Sequence, residues 1–364
     1  MPPDYMHMAL LGITKLIWEL LLEGDANNKH QGHYVGNHRG LIDKRLLVIR
    51  LPSSFPRRPR SIEEYSKYKT SEWETILFHC LYPIMQDLLP QKYLDLIVLF
   101  ATTIFQLLEL NVSEMTLRRC QKRLIQFVKA FQNYFGEKYM VYNIHLLNHL
   151  VESVRNLGAL WNFSLFPFEN GNGMLINFHT SNNRPVLQIV SKYILNRICH
   201  QTVLPNDSKI RTWINAVWSI APKKPTFNPN IACILPDGVL MDEDVNGIQF
   251  NDVAKVTYNG INISPKSVCS KFRYDDSFVY INGQFFSIIR LLINAENDVY
   301  IIGEILNVTK IYDNMFDYKS SNNMTMIRLN KTVRQCSSVT VESKSVQNHK
   351  RSFISLCKIR TQID

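Results

Sequence analysis

Apolar residues recur every three or four positions through MALLGITKLIWELLLE at 8–23, where Leu10, Ile13, Ile17, Leu20 and Leu21 fall on one side. That period turns one stripe of a helix toward a core, so a helix is predicted there, starting just after Asp4. Glycine, asparagine and aspartate then dominate residues 24–40, which read as a loop carrying His30, His33 and His38. The run RLPSSFPRRPR at 50–60 holds three prolines and four arginines. Proline removes a backbone donor and disfavours helix at the residue before it, so an extended basic strap is expected. Ser61, with Glu64 three residues on, has the spacing of a capping box and marks the next helix start.

From 71 to 158 the pattern is helix after helix, broken at Pro83 and Pro90, bracketed by Ser113 and Gly136, and closed at Gly158. Between Met115 and Phe135, the residues Leu117, Leu124, Phe127, Val128, Phe131 and Phe135 share one side. Arg118, Arg119, Lys122, Arg123 and Lys129 lie mostly elsewhere, which gives an amphipathic helix with a basic outer face. The most apolar stretch, LIVLFATTIF at 96–105, is too short to cross a hydrocarbon layer of about 30 Å and is expected as a core helix. A further helix is predicted from Pro185 to about His200. After Ala221-Pro222-Lys223-Lys224-Pro225 the period changes to that of strands at 253–258, 278–281, 284–289 and 299–306, and Asn282-Gly283 signals a type I′ hairpin.

These elements predict an α+β chain: a mainly helical part over 1–220, a linker at 221–230, a small β-barrel-like domain over 231–330 and a polar tail at 331–364. The tail is expected either to stay loose or to add a last strand around Phe353–Leu356. At 364 residues and 46% hydrophobic, the chain is long enough to bury two cores. The excess of 41 Lys and Arg over 31 Asp and Glu, a formal charge of +10 with a pI near 9.2, favours a polyanionic partner, nucleic acid before membrane. The 7 cysteines are scattered, with no C-x-x-C, as expected of reduced thiols in the cytosol or nucleus. The N-terminus has no basic segment before its apolar run, so no secretory signal is expected.

Three short motifs carry candidate chemistry. Pro3-Asp4-Tyr5-Met6-His7 places an acid and a histidine three apart, His145 and His149 lie one helical turn apart with Glu152 beyond them, and Trp161-Asn162-Phe163-Ser164-Leu165-Phe166-Pro167-Phe168-Glu169-Asn170-Gly171 contains a Pro-Phe-Glu step. In this order, the motifs resemble the catalytic half of CACTA (En/Spm-type) cut-and-paste DDE transposases over roughly residues 1–200. The resemblance implies a partial RNase H-like domain with an all-helical insertion over about 8–158. It also implies Asp4 as second acid, Glu169 as third, and His7 as a phosphate-binding or ligand-orienting residue. Such acids hold Mg²⁺ for DNA strand cleavage and transfer. In the related transposases a histidine pair like His145 and His149 completes a Zn²⁺ site with a C-x-x-C; here His30 and His33 are the substitutes at hand. The first acid would belong to a strand before Asp4, so the chain is expected to be inactive alone.

Beside these roles stand plainer ones, with Asp4 as a helix cap, Glu169 as an exposed acid and the histidines as polar surface or core groups. The strap residues Arg50, Arg57, Arg58 and Arg60 and the helix residues Arg118, Lys122, Arg123 and Lys129 are expected to hold phosphates of DNA. The reading is therefore a truncated or domesticated CACTA-type transposase in the nucleus, with DNA as partner, no membrane contact, and homo-oligomers allowed. Two rivals remain open: a non-catalytic nucleic-acid-binding or protein-interaction protein of transposon origin, and a helical scaffold with no nucleic-acid role.

Overall fold

The computed structural model of the chain describes residues 2–23, 32–201, 250–258, 261–296, 298–329, 333–342 and 350–356. The α+β expectation holds: a helical region is followed by a six-stranded antiparallel barrel. The helical part opens with a π-helix, Met6–Thr14, that runs on into α1 (Lys15–Leu22), and continues with α2 (Arg39–Leu47), α3 (Thr70–Thr75), α4 (Leu81–Met85), α5 (Gln91–Leu107), α6 (Glu114–Phe135) and α7 (Tyr142–Leu157). The apolar stripe read from residues 8–23 is buried, Leu10, Ile13, Ile17, Leu20 and Leu21 together with Trp18. Trp18 meets Trp73 edge-on with ring centroids 6.0 Å apart, and Phe100 of α5 stacks on Phe127 of α6 at 4.9 Å. Each such side chain contributes about 2 kcal/mol by leaving water. Gly12 leaves room for Asn143 of α7: a Cβ there would stand 2.3 Å from its Nδ2.

Helix ends agree with the sequence signals where those are strong. Ser113 Oγ accepts the Thr116 amide at the start of α6, and Gly136 ends it at φ 94°. Ser61 is weaker than its spacing implies. Its hydroxyl accepts from Glu63, but Glu64 pairs with Arg60 instead of reaching back, and the chain continues as a 3₁₀ turn, Ile62–Lys67. The apolar run 96–105 lies within α5, and among the described residues no helix is long and apolar enough to cross a membrane.

The β part comprises β1 (Phe250–Asp252), β2 (Val256–Tyr258), β3 (Ile261–Ile263), the short helix α10 (Lys266–Cys269), β4 (Phe278–Ile281), β5 (Gln284–Asn294), β6 (Val299–Tyr312), β7 (Met315–Arg328), β8 (Val333–Glu342) and β9 (Lys350–Leu356). Neighbours run β5-β4-β8-β9-β7-β6 and return to β5, all antiparallel, so the sheet closes on itself, with β1 added along the end of β5. Val279, Ile281, Phe286, Ile288, Leu291 and Ile301 fill one part of its core, and Phe278, Phe285, Leu306, Cys336 and Ile354 another. The hairpin between β4 and β5 turns at Asn282 and Gly283 with φ 51° and 86°, as the type I′ reading requires. Of residues 253–258, expected as one strand, 256–258 form β2 and 253–255 form no strand. Of the two courses expected for 331–364, a loose tail or a last strand around Phe353–Leu356, the chain takes the second with β9, and it adds β8, which was not expected.

The division into domains also differs from the one read in sequence. One compact unit joins Met1–Phe163 to Pro225–Asp364, and the other is Ser164–Lys224, which contains α8 (Phe166–Asn177) and α9 (Pro185–Gln201). The expected linker at 221–230 lies outside the described residues. Among the described residues up to 201, β pairing is limited to an isolated bridge between Arg50 and Ser338, so the part read as RNase H-like contributes helices. Cys80, Cys120, Cys269 and Cys336 are buried; burial pushes the Cys120 thiol up to about 11 and that of Cys269 up to about 12.

Candidate nucleic-acid interface

The buried positions of α6 decide where its charges go. Leu117, Cys120, Leu124, Phe127, Phe131 and Phe135 face the core, so Arg118, Arg119, Lys122 and Lys129 are left on the outer surface. Between Arg118 and Lys129 the helix rises roughly 16 Å, the length of about five phosphates along one DNA strand. Arg118 donates to Glu114 at 3.1 Å, as does Arg155 of α7 at 3.1 Å. These two guanidiniums, Arg155 foremost, hold the Glu114 carboxyl below its ordinary value. Such exposed pairs are weak and exchange readily for another anion.

Arg123 belongs to a different environment. Its Nη1 donates to Gln106 of α5 at 3.1 Å and stands 3.6 Å from Asp313, at the turn between β6 and β7. It therefore ties α6 to the barrel hairpin, and Arg119, absent from the expected contact set, has the exposed position instead. The signal that separates them is the phase of the buried residues: Cys120 and Leu124 flank the side on which Arg123 lies.

The strap divides in the same way. Arg57 and Arg58 are exposed. Arg60 donates to Glu72 at 2.7 Å and to Glu64 at 2.9 Å, and lies 5.3 Å from the ring centre of Tyr68. Glu72 is itself buried, so Arg60 is a fixture of the fold whose loss would strand a buried carboxylate. Arg50 is exposed, and its backbone bridges to Ser338 of β8.

The D-x-x-H residues do meet. Oδ2 of Asp4 accepts the His7 amide at 2.9 Å and stands 2.6 Å from His7 Nδ1, while the Asp4 carbonyl accepts the Met8 amide at 2.9 Å. This is the geometry of a helix cap. Glu169 lies in the first turn of α8, exposed, where a carboxylate complements the helix dipole. Asp4 and Glu169 belong to the two separate units.

His145 and His149 share an exposed face of α7 with ring centroids 5.3 Å apart. His30 lies outside the described residues. His33 is buried between Tyr93 and Phe135, with ring centroids at 5.6 Å and 5.0 Å. Among the described residues no group of three or more His, Cys, Asp or Glu side chains could hold a metal ion. Two imidazoles are half a tetrahedral zinc set, and Asp4 Oδ2 is engaged by His7, so these residues as arranged fit neither expected metal. Compared with protein-family models, curated proteins and solved structures, the chain matches none of them.

Proposed function

We propose that the chain is a nucleic-acid-binding protein of CACTA-transposase descent that holds DNA by its phosphates, acts in the nucleus and does not cut DNA alone. The observation that carries this reading is the outer face of α6, where Arg118, Arg119, Lys122 and Lys129 are exposed along one helix backed by a buried aromatic core. Phosphate contacts of this kind position a duplex without reading its sequence. Binding to a random duplex should weaken steeply with salt, because each neutralised phosphate releases counterions. Replacing Arg118, Arg119 and Lys122 by Ala should reduce the slope of log K against log salt by about 3 and leave the fold intact. Binding that is absent at low salt, or a slope unchanged in this variant, would remove the reading.

Protein association is the second reading, and it rests on α8 and α9. Phe168, Ile176, Val186, Leu187 and Leu195 are all more than half exposed, and α8 has no buried residue. Large apolar side chains exposed in this number on two helices favour burial against a partner. Val186→Lys with Leu195→Lys should lower the mass seen by light scattering if the chain self-associates through these helices; an unchanged mass would argue against it.

A further inference from the structure

A cleft of about 370 Å³ lies where α2 and the start of the strap meet the barrel. Lys44, Arg50, Lys266 and Lys350 line it, drawn from α2, the strap, α10 and the first residue of β9. Asp275 is the one carboxylate among the lining residues, and its Oδ1 is already occupied by the amide and hydroxyl of Ser277, at 3.1 Å and 2.5 Å. Arg50, Lys266 and Lys350 take part in none of the ion pairs among the described residues. Arg45, also on the lining, is buried and bound to Asp87 at 2.8 Å, so it contributes to the fold.

The fold fixes this arrangement. The Arg50 backbone is bridged to Ser338, the Leu51 carbonyl accepts the Asp275 amide at 3.1 Å, and Ser53 is bonded to buried Asp276. Arg50 and the Asp275 segment beside Phe278 are therefore held against each other by backbone contacts. Around the cations lie the hydroxyls of Ser338 and Thr340, the ring of Tyr318, whose hydroxyl is 2.8 Å from Ser338 Oγ, and an apolar wall including Leu41 and Val341. Like charges fixed around one concavity repel until an anion joins them, and a wall of this kind favours an anion with an organic part.

We propose that this cleft binds a phosphate-bearing ligand of nucleotide size, its phosphate on Arg50, Lys266 and Lys350 and its organic part against Tyr318 and the apolar wall. The ligand is either a free nucleotide or one nucleotide unit of a single strand; the chemistry recognised is the same. This site is separate from the outer face of α6 and does not depend on that face binding DNA.

Titration calorimetry on the full chain at low salt tests it with pyrophosphate, AMP, ATP, adenosine and a short thymidine oligonucleotide. The nucleotides should bind and adenosine should not. Arg50→Ala with Lys266→Ala should weaken nucleotide binding about tenfold or more, since charge-assisted contacts to phosphate are lost. Arg50→Lys with Lys266→Arg should keep most of it, and melting curves of both variants should match the parent because the two side chains are exposed. Replacing Arg118, Arg119 and Lys122 by Ala should change nothing here. If AMP competes with the oligonucleotide, the cleft takes a unit of a strand; if the oligonucleotide does not bind there, it takes free nucleotides. No binding of any phosphate compound, or binding unaffected by Arg50→Ala with Lys266→Ala, overturns the proposal.

Discussion

Ser53 and Asp276, 223 residues apart in sequence, are joined by two hydrogen bonds: the Ser53 amide donates to one carboxylate oxygen at 2.7 Å and its hydroxyl to the other at 2.8 Å. Gln335 Nε2 donates to the first oxygen as well, at 2.9 Å, and its own Oε1 accepts from Ser54 at 2.7 Å. The strap is thus bound to the barrel through a fully buried carboxylate. A second seam lies nearby, where His79 Nδ1 stands 2.6 Å from Ser355 Oγ and 3.1 Å from Ser337 Oγ. Both serines are buried on paired strands, so they serve to join the helical part to β8 and β9 and are out of reach of a substrate.

Asp276→Ala should cost roughly 3 kcal/mol, because it strands the Ser53 amide and the Gln335 amide group in a dry site. Asp276→Asn can keep the acceptor for both and should cost less. Burial raises the pKa of Asp276, with the Ser53 donors opposing it. The folded state therefore binds this proton more tightly than the unfolded chain, and stability from this group falls as pH rises from the usual carboxylate range through the folded value. Relative to Asp276→Asn, the parent should gain stability as pH is lowered toward that range and differ by a constant amount near neutrality. Urea unfolding across pH reads both effects; a parent that instead loses ground to Asp276→Asn on acidification would contradict them.

His33 should give the chain an acid-sensitive step with the opposite sign. Its ring is buried, has no hydrogen-bond partner for either nitrogen among the described residues, and is held below its ordinary pKa by burial first and by Lys92 second. The unfolded chain then binds the proton more readily, so stability from this site is complete above about pH 6.5 and declines as the pH falls below it. His33→Phe, which keeps the contacts to Tyr93 and Phe135, should flatten the decline between about pH 6.5 and 5. Thermal unfolding of both proteins over that range decides it, and equal slopes would show that His33 is not the responsible group.

The sequence was most legible where a local rule acts alone. The stripe through Leu10 and Leu21, the cap at Ser113 and the Asn282-Gly283 turn each depend on neighbours a few residues away, and each formed as read. β8 was not legible, because its inward positions Gln335 and Ser337 are polar; they are buried only because Asp276, Ser54 and His79 arrive from elsewhere in the chain. β7 was missed for a related reason: Lys319, Ser320, Ser321, Asn322 and Asn323 have poor strand propensity; Lys319 and Ser320 pair with Asn307 and Leu306 of β6, and Ser321, Asn322 and Asn323 fall in the register shift between Glu304 and Leu306. At the candidate site the basic character of α6 could be read from spacing. The same phase sets Arg123 nearer the buried side than Arg119, but its partner could not be read, since Asp313 lies at a hairpin tip distant in sequence.

Asp4 tests whether the resemblance to a catalytic acid or the cap geometry describes this residue. As a cap it accepts the His7 amide and holds the His7 ring, and the helix it starts carries Leu10 and Ile13 into the core. Removing such a cap costs about 1 kcal/mol, while Asn, which caps as well as Asp, should restore most of it. Asp4→Ala should therefore lower the melting temperature by a few degrees and Asp4→Asn should barely move it. Glu169→Ala, at an exposed first-turn position, should have a small effect. With supercoiled plasmid and Mg²⁺ or Mn²⁺, the purified chain should produce no nicks beyond those of the Asp4→Ala, Glu169→Ala double variant. Phosphodiester cleavage by two metals needs carboxylates gathered on both ions, and the described residues offer no such group. The decisive comparison is Asp4→Asn, which preserves the cap and removes the charge. Nicking that disappears in Asp4→Asn while its melting curve stays that of the parent would make Asp4 a metal ligand and overturn the capping account.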